Sequence, residues 1–398
     1  MYWWKQFDGV EVDEEFAQIA GWGPQHVRFF LLWEDFQPEE NFVSARQLNN
    51  LVTVLDTAAK HGLQAVPTLL VGNMSGLLWL PGWIYTDTPT HRKTFQFTDG
   101  HEVDLEVGDF YGDARLLRAQ ARLAREAAHA TAGHPALHSW DLANEIDQIK
   151  VPSSPNTAWL WFQVLCGAIR SADPTVPVTY GAHSISLTTD GLTVPLMTQF
   201  MDYLSMHAYP MYNDAARGPM DAEWVPFLVT LTSSLAGGQP VLMQEFGLPT
   251  APAGTATHTI RDNFLGTSKP QLLVSEEEGA AYYATVLDRL WQIGALGAVA
   301  WCYADYAPDL WQRPPFDLTV RERSFGLFRA DGSPKPAADV MRRFGSEVTS
   351  GSIVQRLGDL GAGKVALHVD PQAYYRDPEG SLTHAYAGYL DAVNPAQP

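Results

Sequence analysis

The sequence has few cysteines, few basic residues and no long apolar run. Its 398 residues include only two cysteines, Cys166 and Cys302, too few for a disulfide framework or a cysteine zinc site. Acidic residues outnumber basic ones 45 to 26, and the net charge of −19 disfavours nucleic acid and anionic membrane surfaces as partners. No apolar stretch reaches the length of about 18 residues that crosses a bilayer, and no signal-like leader is present. We therefore expect a soluble, cytoplasmic protein with a neutral partner.

Motifs for metal and nucleotide chemistry are also missing. The chain has 12 histidines but no HxH or HExxH pair, and only His183 and His207 lie at predicted strand ends. No GxGxxG or GxxxxGK[ST] segment offers a loop for a dinucleotide or a phosphate. We expect neither a metal nor an organic cofactor.

Short apolar segments alternate along the chain with segments of helical periodicity, a pattern that predicts parallel strands joined by helices. Eight such units predict a (β/α)8 TIM barrel in residues 1–345, with residues 346–398 as a C-terminal extension packed on it. The predicted strands are residues 26–33, 63–71, 136–144, 176–183, 202–209, 240–246 and 297–304, and a weaker eighth strand in the opening MYWWKQF.

Helix ends are marked by caps and glycines. The apolar positions between Leu48 and Ala59 follow a helical period that Gly62 ends. Ser275 precedes three glutamates and predicts the start of a helix that runs to about Ile293.

Long insertions follow three of the predicted strands, at the C-terminal face where such barrels carry their sites. They span residues 72–112, 247–275 and 305–333, and their aromatic side chains, Trp79 among them, are expected to wall in a pocket. Trp33-Glu34 closes another strand at the same face. Glu34 there either binds substrate or faces water.

Two glutamates end predicted strands. Glu145 lies in WDLANEID and Glu245 in VLMQEFG, 100 residues apart. Over three strand–helix units this is about 33 residues each, close to the ~31 of a barrel of about 250 residues, so both should reach the same mouth. Two carboxyls in one cavity can divide their roles, one as a protonated general acid and the other as an ionised nucleophile or base, as glycosidic bond cleavage requires. Taken singly, a glutamate at a strand end is more often a solvated terminus or a salt-bridge partner.

The residues around both glutamates carry a family resemblance. Asn144-Glu145 and Glu245-Phe246-Gly247, each after an apolar strand, resemble the clan A retaining glycoside hydrolases, most of all family 5 with its cellulases, mannanases and β-mannosidases. Arg28, the segment His207-Ala208-Tyr209 and Trp301 agree with the same pattern. The resemblance extends from the N-terminus through the predicted barrel. It implies that Glu145 is the acid/base and Glu245 the nucleophile.

The resemblance also implies roles for the neighbouring residues. Asn144 would hydrogen-bond the sugar hydroxyl next to the anomeric carbon, and Arg28 and Tyr209 would hold Glu245 ionised and oriented. The remaining candidates for substrate binding are His207 lining the site, Trp301 as the floor under the sugar, and Trp33, Glu34 and Trp79 at the rim.

Each of these residues has a plainer alternative. Arg28 could form a structural ion pair with Asp141, because its strand is too apolar for an unpaired charge. His207 could be a core histidine with satisfied hydrogen bonds, and Trp301 could serve packing alone. Trp79 could pin its loop to the protein instead of bounding the pocket.

The sequence thus predicts a retaining β-glycosidase that works by double displacement on a carbohydrate substrate. The long loops favour a pocket, hence exo-action or short oligosaccharides, with β-mannosidase, β-glucosidase and β-galactosidase or galactofuranosidase types left open. The alternatives are a catalytically inactive sugar-binding barrel and a transglycosylase that uses the same two carboxylates.

Overall fold

The computed structural model describes residues 2–264 and 266–393, and the chain forms two compact units. The first unit runs to Gly181 and also includes Asp190–Asp202. The second comprises Ala182–Thr189 and the chain from Tyr203 onward.

The first unit is built on parallel strands β1 (His26–Leu32), β2 (Gln64–Val71), β3 (Trp140–Asn144) and β4 (Val178–Ala182), hydrogen-bonded in that order. Every residue of β3 and β4 is buried. Because these strands are buried on both faces, they show no regular alternation of polar and apolar residues, and a polar side chain such as Asp141 is hydrogen-bonded within the protein.

The second unit carries β5 (Leu204–Ala208), β6 (Val241–Phe246) and β7 (Gly297–Ala300), again parallel and in chain order. In the register of β5 and β6, His207 lies opposite Glu245. Strands β1 to β7 all fall within the segments predicted for them.

The weak eighth strand predicted for the opening segment is not formed in residues 2–7, which adopt turns. Trp4 is the reason: its ring packs edge-on against Phe36 with centroids 4.7 Å apart, and its Nε1 donates to the carbonyl of Phe30 at 2.6 Å. Aromatic residues favour strands, but here Trp4 packs against residues in and after β1.

The helices begin and end close to the predicted caps. Ser275 accepts a hydrogen bond from the backbone N–H of Glu278, and the helix behind it ends at Ile293 as predicted. Helices of twelve residues or more within the described chain are Gly9–Gly21, Ala45–Lys60, Ala114–Thr131, Pro155–Ala172, Trp224–Leu235, Glu276–Ile293, Pro336–Ser350 and Pro378–Val393. Shorter α-helical turns are Trp33–Phe36, Ile185–Thr188, Val194–Met197, Ile353–Leu357 and Pro371–Tyr374.

The three insertions have structure of their own. In the first unit, residues 72–112 form short strands at Asn73–Met74, Leu77–Trp79, Tyr85–Pro89, Gln96–Thr98, His101–Glu102 and Leu105–Val107. In the second unit, the antiparallel strands His258–Phe264 and Thr267–Leu273 follow β6, and the 3-10 turns Pro308–Leu310 and Val320–Ser324 follow β7.

Within the second unit, the chain after residue 345 contacts earlier segments through tyrosine hydroxyls. Tyr374 donates to the carbonyl of Leu187, and Tyr386 donates to the carboxylate of Asp221 at 2.6 Å. The division into a barrel of residues 1–345 and an extension stays a prediction; residue 345 itself lies inside the helix Pro336–Ser350.

Among the described helices, none combines the length and the apolar character that a membrane crossing requires. Both cysteines are free thiols. Burial raises the pKa of Cys166 to about 12, so this thiol is kept protonated and unreactive.

Candidate active site

Glu145 follows β3 in a backbone conformation that is rare for its residue type. Its φ of 45° and ψ of 41° lie in the left-handed region, and its N–H donates to the carbonyl of Gly181 at 3.1 Å. The side chain is half-buried, whereas all five residues of β3 before it are buried. A left-handed non-glycine residue costs on the order of 1 kcal/mol or more, and such residues concentrate at functional sites. Because the chain turns at Glu145, the direction of its side chain is not set by the alternation of side chains along β3.

Two amide side chains hold the Glu145 end of β3. Asn73 donates from Nδ2 to Oε2 of Glu145 at 3.1 Å, and its carbonyl accepts from Nδ2 of Asn144 at 2.9 Å. Oδ1 of Asn144 accepts from Nη2 of Arg28 at 2.8 Å. Asn144, 4% exposed, is therefore fixed in one amide orientation beside the glutamate.

Arg28 forms the ion pair with Asp141 that the sequence left open as an alternative. Its Nε and Nη2 lie 3.0 and 2.8 Å from Oδ2 of Asp141, a fully buried carboxylate. The same carboxylate accepts from Oγ1 of Thr68 and from the N–H of Gly181. The pair thus ties β1, β2 and β4 to β3. The predicted action of Arg28 on Glu245 stays a prediction.

The two tryptophans proposed for the rim of the first unit are enclosed by protein. Trp33 is 0% exposed, donates from Nε1 to Gln37 at 3.0 Å and meets Trp83 edge to face. Trp79 is 2% exposed and stacks on Phe97 with centroids 5.0 Å apart. These placements favour packing roles, because a sugar needs an open ring face.

Glu34 belongs to a network of charges and does not face water. It is 8% exposed and accepts from Nζ of Lys5 at 3.1 Å and from the N–H of Asp99 at 2.7 Å. Lys5 also lies 3.7 Å from Asp35, whose pKa burial raises to about 6. Of the two alternatives for Glu34, exposure to water is absent and substrate binding stays a prediction.

In the second unit, Glu245 is held by β5 and the residue after it. The carboxylate is 6% exposed, accepts from the hydroxyl of Tyr209 at 2.9 Å and has Nδ1 of His207 at 3.7 Å. Nε2 of His207 lies 3.1 Å from Oε1 of Gln244. An amide oxygen only accepts, so Nε2 carries the hydrogen of this bond. His207 and Glu245 are metal-ligand types, but both already hydrogen-bond to protein groups.

Gly247 allows the end of β6 to approach Trp301. A Cβ at Gly247 would lie 2.3 Å from the carbonyl oxygen of Trp301, a distance that no side chain tolerates. The N–H of Trp301 donates to the carbonyl of Phe246 at 2.9 Å, and the peptide bond to Cys302 is cis. Trp301 is half-buried. The glycine of the Glu-Phe-Gly motif therefore has a steric reason.

Sequence reasoning missed a second carboxylate close to Glu245. Tyr212 lies beside Tyr209 with ring centroids 5.7 Å apart, and its hydroxyl lies 2.9 Å from Nε of Arg321 and 3.4 Å from Oε1 of Glu322. Burial raises the pKa of the Glu322 carboxyl. In the sequence the segment VRERS has the pattern of a solvated charged loop, so its burial could not be inferred.

Each unit thus presents one glutamate at the C-terminal end of a parallel strand. Glu145 is half-buried and accepts a hydrogen bond from the amide of Asn73. Glu245 is buried, and its carboxylate has the hydroxyl of Tyr209 and the imidazole of His207 as neighbours. An accessible carboxyl suits proton transfer, and one held by several protein groups suits attack on a bound centre.

No family model matches the chain, and no curated protein matches it either. Several solved structures do match the chain. An alanine variant of GH5_18 from Streptomyces cattleya in complex with Manb1-4GlcNAc has a TM-score of 0.75 at 21% identity, covering 98% of this chain and 89% of that one. The exo-beta-1,4-mannosidase from Opitutaceae bacterium strain TAV5 has a TM-score of 0.70 at 24% identity, covering 89% and 58%. GH5_18 from Bifidobacterium longum subsp. longum has a TM-score of 0.67 at 20% identity, covering 88% and 76%.

At these identities the likeness establishes the fold. It confirms the predicted (β/α)8 barrel, and the resemblance to family 5 that the motifs carried extends to the three-dimensional structures.

Proposed function

We propose that this protein is a retaining β-glycosidase that cleaves β-glycosidic bonds by double displacement. The observation that carries the proposal is the pair of strand-end glutamates on a (β/α)8 barrel. One is preceded by a fixed asparagine and the other accepts a tyrosine hydrogen bond. The barrel fold shared with GH5_18 structures supports it.

In the first step, a carboxylate oxygen of Glu245 attacks the anomeric carbon. The bond between that carbon and the leaving oxygen breaks, and Glu145 gives its proton to that oxygen. In the second step, Glu145 takes a proton from water, whose oxygen attacks the anomeric carbon and releases Glu245 from the glycosyl ester. Two inversions at one carbon retain the β configuration. No metal or cofactor enters either step.

Neighbouring residues position the sugar and the nucleophile in this proposal. The oriented amide of Asn144 binds the hydroxyl next to the anomeric carbon, and Arg28 keeps that amide in place. Tyr209 and His207 fix Glu245 at the attacking angle. Trp301 offers its partly open indole to the C–H face of the sugar.

For the substrate, we propose a short β-mannoside. The support comes from the names of similar structures: one GH5_18 protein was crystallised with Manb1-4GlcNAc, and another similar protein is an exo-beta-1,4-mannosidase. Glucosides and galactosides are the comparison substrates, because they differ from mannosides by the orientation of single hydroxyls.

The test is a panel of nitrophenyl β-glycosides assayed with the wild type, Glu245→Gln and a matched control, Glu276→Gln. Glu276 is also a buried glutamate of the second unit, but Arg329 binds it away from the strand end. We expect turnover by the wild type and the control only, with a β-configured first product by NMR. An α-configured first product would mean that the enzyme inverts. If the wild type turned over no glycoside, the protein would be a sugar-binding barrel. Glycoside products at high acceptor concentration would mean that it is a transglycosylase.

A further inference from the structure

The 3-10 turn Val320–Ser324, in the insertion after β7, is fixed by contacts from two directions. Asp262, on the antiparallel hairpin after β6, accepts from the N–H groups of Val320 and Arg321, both at 2.9 Å. The carbonyl of Ser324 accepts from the N–H of Thr250 at 3.0 Å. The two insertions therefore lock each other, and the side chains of this turn have defined positions.

Arg321 supplies the positive charge of the turn and is itself buried, at 2% exposure. Its Nη1 lies 3.1 Å from Oδ2 of Asp262, and its Nε donates to the hydroxyl of Tyr212 at 2.9 Å. Asp262 pairs directly with this charge, and Oε1 of Glu322 lies 3.5 Å from Nε of Arg321. Oε2 of Glu322 takes no part in either ion pair of Arg321.

Glu322 adds a second carboxylate to the same buried region, at 5% exposure. Its Oε1 lies 3.4 Å from the hydroxyl of Tyr212 and 3.5 Å from Nε of Arg321. Among the residues that the structure describes, its Oε2 has no hydrogen-bond partner. The residue is largely buried and only its Oε1 contacts protein groups, so its Oε2 is available to accept a hydrogen bond from a ligand that carries donors.

Glu322 is next to Glu245 in the network. Tyr209 binds Glu245, Tyr212 contacts Glu322, and the two tyrosine rings lie side by side with centroids 5.7 Å apart. The negative charge of Glu245 also contributes to the raised pKa of Glu322, after the larger effect of burial. A ligand that Glu245 attacks would therefore lie within reach of the turn.

We propose that Glu322 is a substrate-binding residue that determines specificity: its Oε2 accepts a hydrogen bond from a hydroxyl of the sugar attacked by Glu245. This inference rests on the proposed glycosidase function and assigns the hydroxyl to C3, C4 or C6, because Asn144 serves the hydroxyl next to the anomeric carbon. A carboxylate that accepts a hydroxyl hydrogen discriminates against a sugar without that hydroxyl, since a hydrogen bond to a charged group is then lost.

The test compares kcat/KM for the parent nitrophenyl glycoside with its 3-, 4- and 6-deoxy analogues. The proteins are the wild type, Glu322→Gln, Glu322→Asp and the control Glu276→Gln. We expect both Glu322 variants to lose about 10- to 100-fold on the parent glycoside. On one deoxy analogue, already poor for the wild type, they should lose less than about threefold, because the interaction is absent in both. The control should match the wild type on every substrate.

Glu322→Asp keeps the charge of the buried cluster, so it provides the result if Glu322→Gln fails to fold. Equal losses on the parent and on all three deoxy analogues would mean a structural role for Glu322 and overturn the inference, as would variants within threefold of the wild type throughout. In both cases an active wild type leaves the glycosidase proposal standing. A wild type that hydrolyses no glycoside overturns the proposed function, and the inference falls with it.

Discussion

The end of β3 and the end of β6 both carry a glutamate, but they hold it differently. Glu145 lies in a left-handed turn, half-buried, with the amide of Asn73 on one oxygen. Glu245 lies near the C-terminal end of β6, where the register shifts against both neighbouring strands; it is 6% exposed, accepts a hydrogen bond from Tyr209 and lies opposite His207. Two acidic residues that look alike in the sequence therefore differ in exposure, in backbone conformation and in the groups around them.

This difference fits the two roles in a double displacement. The nucleophile forms and breaks a bond to one carbon, so a fixed position lowers the barrier. The acid/base meets first a leaving oxygen and then a water, so it needs access and some freedom. The predictions that follow test whether the two strand ends differ in function as they do in structure.

The largest effect is expected at the two glutamates themselves. Glu245→Gln should lower kcat by at least about 10⁴-fold on every nitrophenyl glycoside, because the neutral amide oxygen of glutamine is a far weaker nucleophile than a carboxylate. Glu145→Gln should lower glycosylation severely only for poor leaving groups and mildly for dinitrophenyl glycosides, which need no protonation. The measurement is kcat/KM against the pKa of the leaving group. If kcat/KM of the two variants depended equally on the pKa of the leaving group, Glu145 and Glu245 would not have the different roles proposed for them.

Gly247→Ala should lower kcat by on the order of 10²-fold, because a Cβ 2.3 Å from the carbonyl of Trp301 must push β6 and Trp301 apart. The control is Gly279→Ala, in the helix Glu276–Ile293, where a Cβ would meet only side-chain atoms at 3.6 and 3.7 Å. This control should keep full activity and unfold at the same or a higher urea concentration. Full activity in Gly247→Ala would show that the close approach has no part in catalysis.

The contribution of one hydrogen bond to each carboxylate can be compared by removing one donor at a time and measuring kcat. Tyr209→Phe should lower kcat by about 10- to 100-fold, since a hydrogen bond to a charged group is lost at the fixed nucleophile. Asn73→Ala should cost less than about tenfold, because water can reach the half-buried carboxylate of Glu145 and replace part of the lost hydrogen bond. Tyr282→Phe is the control: its buried hydroxyl has no hydrogen-bond partner among the described residues. A larger loss for Asn73→Ala than for Tyr209→Phe would reverse the comparison.

The smallest effect concerns stability in the first unit. Burial raises the pKa of Asp35 from 3.8 to about 6, so the folded protein binds this proton more tightly than the unfolded chain. The free energy of unfolding should therefore fall as pH rises from about 4 to 6, and Asp35→Asn should remove that loss. Relative to the wild type, the variant should gain about 1–3 kcal/mol between pH 4 and pH 7 in urea unfolding.

The exposed carboxylate of Asp359 provides the control, as Asp359→Asn. Its stability relative to the wild type should stay nearly constant over the same pH range. An Asp35→Asn variant whose relative stability is equally constant would show that the buried carboxyl does not titrate in this window.

The strands and the long helices were predictable because burial and capping leave local patterns, such as the buried run of β3 and the cap at Ser275. The packing of particular aromatic rings could not be predicted from the sequence. Trp33 and Trp79 sit at strand ends like binding residues, and only the tertiary structure shows their faces covered. Glu322 is the opposite case, a loop residue with a solvated pattern that the hairpin and Tyr212 enclose. The cytoplasmic location remains a prediction.

The most direct test of the central claim is chemical rescue by azide of Glu245→Ala and Glu145→Ala, each with an activated aryl β-glycoside. Azide in the cavity of the missing nucleophile attacks from the same side as Glu245 would, so Glu245→Ala should yield the α-glycosyl azide. In Glu145→Ala, azide attacks the glycosyl ester of Glu245 and should yield the β-glycosyl azide. A β product from Glu245→Ala would contradict the account.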